Sequence, residues 1–286
     1  MEILYNEPLK LHTTFRVGGE CKRFIFADRE EGCGVIRDCR ERKEPFFLLG
    51  KGSNLLVSDR GFPGTVLSFL PKDPVLLDRD RLRVSAGTTL AAAASFAADH
   101  GLSGLECLHG IPGTMGGAAV MNAGAYGSEL KDVFAEGEVL TKEGEIRVIS
   151  AEEMDFSYRS SSLEREENIL LSAVLQLEKK DEALIRDRMK ELSARRREKQ
   201  PLELPSAGST FRRPEGYFAG KLIEEAGMKG FSIGGAAVSE KHAGFIVNYN
   251  NATAEDIYRL ICKVQEEVYR TSGVTLKCEV KMLGEF

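Results

Sequence analysis

The sequence predicts an α+β protein of two or three domains. Three observations carry this: a strand–helix–strand pattern within the first fifty residues, a middle stretch of short β segments around one alanine-rich helix, and a last third in which helices and strands mix after a proline-interrupted charged helix. With 286 residues, 42% of them hydrophobic, and no low-complexity tract, the chain can bury a substantial core.

Residues 23–27 read as a strand, 28–43 as a helix and 45–49 as a buried strand running into glycine, which makes a βαβ unit. Short strands follow at 65–69, 75–78 and 81–86. The alanine-rich helix at 89–100 stops at Gly101, where a left-handed residue costs least. A glycine- and alanine-rich stretch at 110–127 contains the helix-competent run 118–123. Beyond it, residues 136–149 read as a hairpin turning at Lys142-Glu143-Gly144, and 169–177 as a further strand. The charged helix at 181–199 is interrupted by Pro201 and Pro205, so a domain boundary is expected near residue 200. The last third offers a helix at 217–226, a strand at 244–248, a long helix at 253–271 and a final strand at 274–282. Thr253 suits the N-cap of the long helix, with Glu255 and Asp256 favourable in its first turn.

Several function classes are disfavoured at once. A formal net charge of -5 gives no basic field for a nucleic-acid backbone or an anionic membrane, so any phosphate must be held locally. The first residues carry acids where a secretory signal carries bases, and no apolar run is long enough to span a bilayer, so a cytoplasmic location is expected. The six cysteines are scattered without a CxxC pair, which fits reduced thiols better than disulfides or a zinc site. None of the four histidines stands at HxxxH or HExxH spacing, so no metal centre is expected.

Two glycine stretches have the character of ligand loops. Gly50-Lys51-Gly52-Ser53-Asn54 follows a buried strand, and its glycines let the backbone aim several N–H groups at one anion. Leu55 stands where a Rossmann fingerprint has its third glycine, and a plain glycine turn is an equal reading. In Gly110-Ile111-Pro112-Gly113-Thr114-Met115-Gly116-Gly117-Ala118, glycines, a proline and a threonine precede a helical run, which suits pyrophosphate binding by amides near a helix start. Asn122-Ala123-Gly124-Ala125-Tyr126-Gly127 adds a turn where a flat ligand can approach the backbone. The alternative for both is close packing of small residues between helix and sheet.

These stretches, preceded by Thr14-Phe15-Arg16-Val17-Gly18-Gly19, resemble in order the FAD-binding part of the UDP-N-acetylenolpyruvoylglucosamine reductases. The resemblance continues through Tyr158-Arg159-Ser160, Pro205-Ser206-Ala207-Gly208-Ser209-Thr210-Phe211, Ala219-Gly220-Lys221, the segment from Val238 to Asn248, and Leu276-Lys277-Cys278-Glu279-Val280, covering nearly the whole chain. It implies a two-subdomain FAD-binding unit of the vanillyl-alcohol-oxidase type, at 1–60 and 61–200, followed by a smaller α+β substrate domain at 201–286. It also implies NADPH-dependent reduction of UDP-N-acetylglucosamine enolpyruvate to UDP-N-acetylmuramate in peptidoglycan precursor synthesis, with FAD bound noncovalently. The carried-over catalytic residues are Ser209 as proton donor, assisted by Arg159 and Glu279. The cofactor set is Gly50, Lys51, Gly52, Ser53, Asn54, Leu55, Ile111, Pro112, Gly113, Thr114, Gly116, Gly117, Ala118, Asn122, Gly124 and Ala125. The substrate set is Lys199, Arg213 and Lys221.

The residue types suit that chemistry. Hydride addition to the alkene builds charge that spreads into the carboxylate, which calls for a cation there and an acid at the α-carbon. Arginine stays charged and grips carboxylates bidentately, while a serine hydroxyl is acid enough only toward a very basic carbanion. Taken locally, Ser209 reads as a turn residue and Glu279 as part of a mixed-charge strand face with Lys277 and Lys281, opposite Leu276, Cys278, Val280 and Met282. Arg195-Arg196-Arg197-Glu198-Lys199 reads as a solvated helix end, or as cations facing a UDP diphosphate. Arg213 precedes Pro214 where many relatives carry asparagine, and the short stretch between Arg159 and Ser209 points to the shorter-loop subgroup. His109, despite the histidine-linked flavins of the broader fold, is expected to pack or hydrogen-bond, and His242 has no assigned role. The rival readings are a flavin oxidase of the same fold and a flavin- or nucleotide-binding protein without turnover.

Overall fold

The computed structural model describes residues 1–286 as two units, each built from discontinuous stretches of chain. The first takes Met1–Ile3, Ile25–Lys51 and Val66–Arg196; the second takes Leu4–Phe24, Gly52–Thr65 and Arg197–Phe286. This differs from a division into three consecutive domains at residues 60 and 200. The reason lies in burial: Ile25, Cys33 and Ile36 share a core with Leu140 and Leu171, whereas Phe15, Val17 and Leu56 share one with Ile246 and Leu260.

In the first unit, Asp28 caps the helix Arg29–Glu41 by accepting from the Glu30 and Glu31 amides, and Glu31 completes a capping box. The strand residues 25–27 and 46–48 that flank this helix are not neighbours, because residues 66–69 lie between them in the sheet. An antiparallel five-stranded sheet has the order Ile146–Ser150, Phe134–Leu140, Ile169–Gln176, Arg81–Ser85, Val75–Leu76. Against it the helix Leu90–Asp99 buries Ala93, Ala94, Ala97 and Ala98 with Leu82 and Val84, small side chains that permit close helix–sheet approach. Thr89 caps this helix, and Gly101 takes the left-handed conformation just beyond its end.

In the second unit, an antiparallel sheet has the order Ser206–Ser209, Phe245–Asn248, Ala236–Val238, Ser232–Ile233. The helix Ala254–Ser272 buries Ile257, Leu260, Ile261, Val264 and Val268, the 3–4 spacing of one helical face. Thr253 and Asp256 form a capping box at its start, and left-handed Gly273 ends it. The final strand is shorter than the sequence predicts, Lys281–Leu283, pairing in parallel with Leu55–Val57. Only an isolated bridge between Phe211 and Cys278 lies upstream of it, and the chain bends at Val280. That bend shifts the alternation by one residue, so Met282 is exposed rather than sharing a buried face with Val280. The N-terminal strand Glu2–Pro8, unmarked in the sequence reading, is mostly exposed and so carries no buried alternation to detect.

Candidate functional site

The first unit contains a pocket of about 110 Å³, room for one part of a dinucleotide rather than its whole length. Its walls are apolar and come from three strands and their edges: Leu48, Leu49, Leu67, Phe69, Ile169 and Leu170. Gly50, Gly87, Gly116 and Gly117 join them, with Ala86, Thr114, Val120 and Asn168 completing the lining. A Cβ on Gly50 would strike the Thr114 hydroxyl, one on Gly87 the Phe69 carbonyl oxygen, and one on Gly116 would crowd Ala86. Gly50, Thr114, Gly116 and Gly117, four of the expected cofactor residues, thus line one pocket. An apolar recess edged by glycine backbone suits one part of a flavin nucleotide.

The backbone geometry corrects the expected mode of phosphate binding. The helix begins at Met115, three residues earlier than the 118–123 run suggests, and its first amides are spent on the protein. Met115 N–H donates to Thr88 O at 2.8 Å, Gly116 N–H to Ala86 O at 2.9 Å, and Gly117 N–H faces the Thr114 hydroxyl at 3.4 Å. No fan of free N–H groups opens there. By contrast, no backbone acceptor in the protein takes the amides of Gly50, Lys51, Gly52, Ser53 or Asn54.

Three members of the expected cofactor set turn inward instead. Leu55 is 3% exposed and paired opposite Lys281. Ala118 lies in the core with Leu90 and Met115. Asn122 is wholly buried and donates its side-chain N–H groups to Glu129 Oε2 at 2.9 Å and Ser157 O at 3.1 Å, while its Oδ1 accepts from Lys131 N–H at 3.0 Å. With both N–H groups used, Asn122 has no side-chain donor left for a ligand and instead fixes the turns around it. Ile111, Pro112, Gly113, Gly124 and Ala125 lie outside the pocket lining; Gly124 lends its carbonyl to Arg159 Nη2 at 3.3 Å, and Ala125 pairs with Ser128. Gly87, Phe69 and Ile169 were missed in the sequence because strand residues that line a pocket look the same as strand residues that fill a core. The one available signal was Gly87, a glycine closing a strand.

Arg159 is half-buried at the tip of a turn between Ser157 and Ser160, in left-handed conformation (φ 55°), with its guanidinium 5.0 Å from the Tyr158 ring centre. A non-glycine residue held at positive φ is strained, a condition that marks positions over-determined by their surroundings.

In the second unit, Ser209 is exposed at the end of its strand, and the register slips between Ser206 and Ser209. Gly208 supplies this bulge at φ 75°, with open space where a Cβ would sit. Thr210, wholly buried, anchors the far side: its N–H donates to Gly244 O at 2.8 Å and its hydroxyl accepts from Ile246 N–H at 3.1 Å. The same residue's carbonyl accepts the Glu279 N–H at 2.8 Å, so the glutamate segment is tied one residue away from Ser209. Asn54, expected in the cofactor set, donates its side-chain amide to Glu279 O at 3.2 Å. Gly52, also left-handed, packs against the His12 backbone.

The expected substrate cations are all at the surface. Lys199 is exposed, Lys221 reaches Glu225 at 3.6 Å, and the Arg213 guanidinium stacks 4.0 Å over Phe218. His109 has Nδ1 buried without a partner, and burial holds its pKa below the ordinary histidine value. His242 accepts the Gly244 N–H and stacks edge-on against Phe245, a local structural role beside the serine strand.

A sequence model for the C-terminal domain of UDP-N-acetylenolpyruvoylglucosamine reductase matches residues 200–283, and one for an FAD binding domain matches residues 24–150. The chain is 49% identical to the UDP-N-acetylenolpyruvoylglucosamine reductase of Caldanaerobacter subterraneus, covering 99% of this chain and 94% of that one. It is 48% identical to that of Exiguobacterium sibiricum, over 99% and 93%. The crystal structure of the Thermus caldophilus protein of that name superposes with a TM-score of 0.84 at 37% identity, covering 99% of this chain and 98% of the other.

Proposed function

The chain belongs to the UDP-N-acetylenolpyruvoylglucosamine reductase family, and from that premise we propose that it reduces UDP-N-acetylglucosamine enolpyruvate to UDP-N-acetylmuramate, with FAD as cofactor and NADPH as reductant, in peptidoglycan precursor synthesis. A cytoplasmic location goes with this reading; no helix is long and apolar enough to cross a membrane. The observation that carries the chemistry is the bulge at Gly208, which turns Ser209 out of the sheet while Thr210 ties the strand to the Glu279 segment.

FAD, when bound, supplies hydride transfer from NADPH to the alkene carbon remote from the carboxylate. Gly50, Thr114, Gly116 and Gly117 would hold it in the first unit, with the unspent amides of Gly50 and Lys51 toward its phosphates. Lys51, Gly52 and Ser53 belong to the 50–54 turn. Arg159 grips the substrate carboxylate and stabilises the charge that develops there. Ser209 donates its hydroxyl proton to the α-carbon, and Glu279 supports the donor through its tied backbone. Lys199, Arg213 and Lys221 are exposed, so meeting the UDP diphosphate would carry little burial cost.

Flavin absorbance in a stopped-flow instrument tests the whole reading. Mixing with NADPH should bleach the flavin band, and subsequent UDP-N-acetylglucosamine enolpyruvate should restore it. Bleaching that oxygen reverses but the enolpyruvyl sugar does not would favour an oxidase.

A further inference from the structure

The run Arg195-Arg196-Arg197-Glu198-Lys199 closes the helix Glu182–Lys199, and its cations have different fates. Arg195 pairs with Glu191 at 2.6 Å, and Arg197 and Lys199 are exposed. Arg196 alone is half-buried, lying against Gly110: a Cβ there would sit 3.3 Å from its Cδ and 3.5 Å from Nη1. No hydrogen bond or ion pair engages its guanidinium. Its neighbour Tyr126 is pinned by donating to Leu192 O at 3.4 Å, one turn earlier on the same helix. His109, next to Gly110, leaves Nδ1 buried and unsatisfied.

A cation withdrawn from water without an anion is costly, and the shortage of a partner is resolved by a ligand that brings one. The 110–113 turn that Arg196 touches leads directly into Thr114 on the pocket, and the helix start beyond it has no amides to spare. We propose that Arg196 is the counter-cation of a nucleotide diphosphate, that of FAD, held beside the Gly110 turn. The proposal rests on FAD as cofactor. It differs from both sequence-based readings of this run, a solvated helix end or a cation facing the UDP diphosphate.

The test is reconstitution of apoprotein with FAD and, separately, with riboflavin, which has the same ring and no phosphate, followed by flavin fluorescence. Arg196→Gln should weaken FAD binding about 10- to 100-fold, the range of a charge-assisted hydrogen bond, and flatten its salt dependence. Riboflavin affinity should not change, the melting temperature of the apoprotein should not fall, and Arg196→Lys should keep part of the FAD affinity. UDP binding to the holoprotein should be unaffected. Unchanged FAD affinity would overturn the proposal, as would equal weakening of FAD and riboflavin, which reports a structural role. Loss of UDP binding with FAD affinity intact would move the arginine to the sugar nucleotide and equally overturn it. A parent protein that binds no FAD would remove the cofactor itself and the proposal with it.

Discussion

The glycines of the two units solve opposite problems. At the pocket of the first unit they make room: Gly50 and Gly87 are pressed against Thr114 and Phe69, so any side chain there collides with the frame. At the serine strand of the second unit, Gly208 has nothing within reach of a Cβ, and it is needed only for its left-handed backbone, which aims Ser209. One region is constrained by space and the other by direction. The same residue type therefore carries different consequences on substitution.

The largest expected effect removes what the second region aims. Ser209→Ala should slow flavin reoxidation by the enolpyruvyl sugar by about 10²–10⁴, the range for loss of a general acid, while reduction by NADPH stays within about tenfold. Equal loss in both half-reactions would break the contrast between the units. Next, Gly50→Val should purify with little or no flavin, measured as the ratio of flavin to protein absorbance, because the added branches meet Thr114; full occupancy would show that the loop has room to move. Gly208→Ala should cost about 1–2 kcal/mol of stability in denaturant unfolding, from the left-handed backbone alone, with a drop in reoxidation rate smaller than that of Ser209→Ala. A collapse of flavin content in that variant would mean that direction and space are not separable.

The smallest effect concerns the second unit's frame. Burial raises the Asp256 pKa, but the amides of Thr253 and Gly235 outweigh it and hold the carboxyl below its ordinary value. Asp256→Asn should cost about 1 kcal/mol at neutral pH, the usual worth of a cap. A depressed carboxylate gives stability above its unfolded pKa that is lost as pH falls through the folded one, so parent and variant should converge in acid. A gap between their unfolding midpoints that persists at pH 2 would refute the ionic part of that account.

Much of this architecture was legible in the sequence because its signals are local. Thr89 and Gly101 bracket the alanine helix, Thr253 starts the long one, and Lys142-Glu143-Gly144 turns the hairpin, each by backbone chemistry confined to a few residues. What was not legible depends on distant partners. Nothing near Asn122 says that Glu129, Ser157 and Lys131 will consume its amide, and nothing near Gly116 says that Ala86 will take its N–H. The bulge at Gly208 had a glycine to announce it but no register, which only the pairing of Ser206 with Val247 and Ser209 with Phe245 defines. The final strand expected at 274–282 is shorter than its alternation suggests, because the alternation in the sequence persists past a bend that flips it in space.

The second unit draws Leu4–Phe24, Gly52–Thr65 and Arg197–Phe286 into one body, with Leu55–Val57 in parallel register beside Lys281–Leu283. Its core therefore joins the two ends of the chain. During synthesis, Phe15, Val17 and Leu56 leave the ribosome long before Leu260 or Val280 exist to cover them. Such long-range closure is slow, and until the last strand arrives the early segments are exposed apolar surface. Loss of even the last few residues, Lys281–Leu283 included, would be felt first at Leu55–Val57, in the chain's opening quarter.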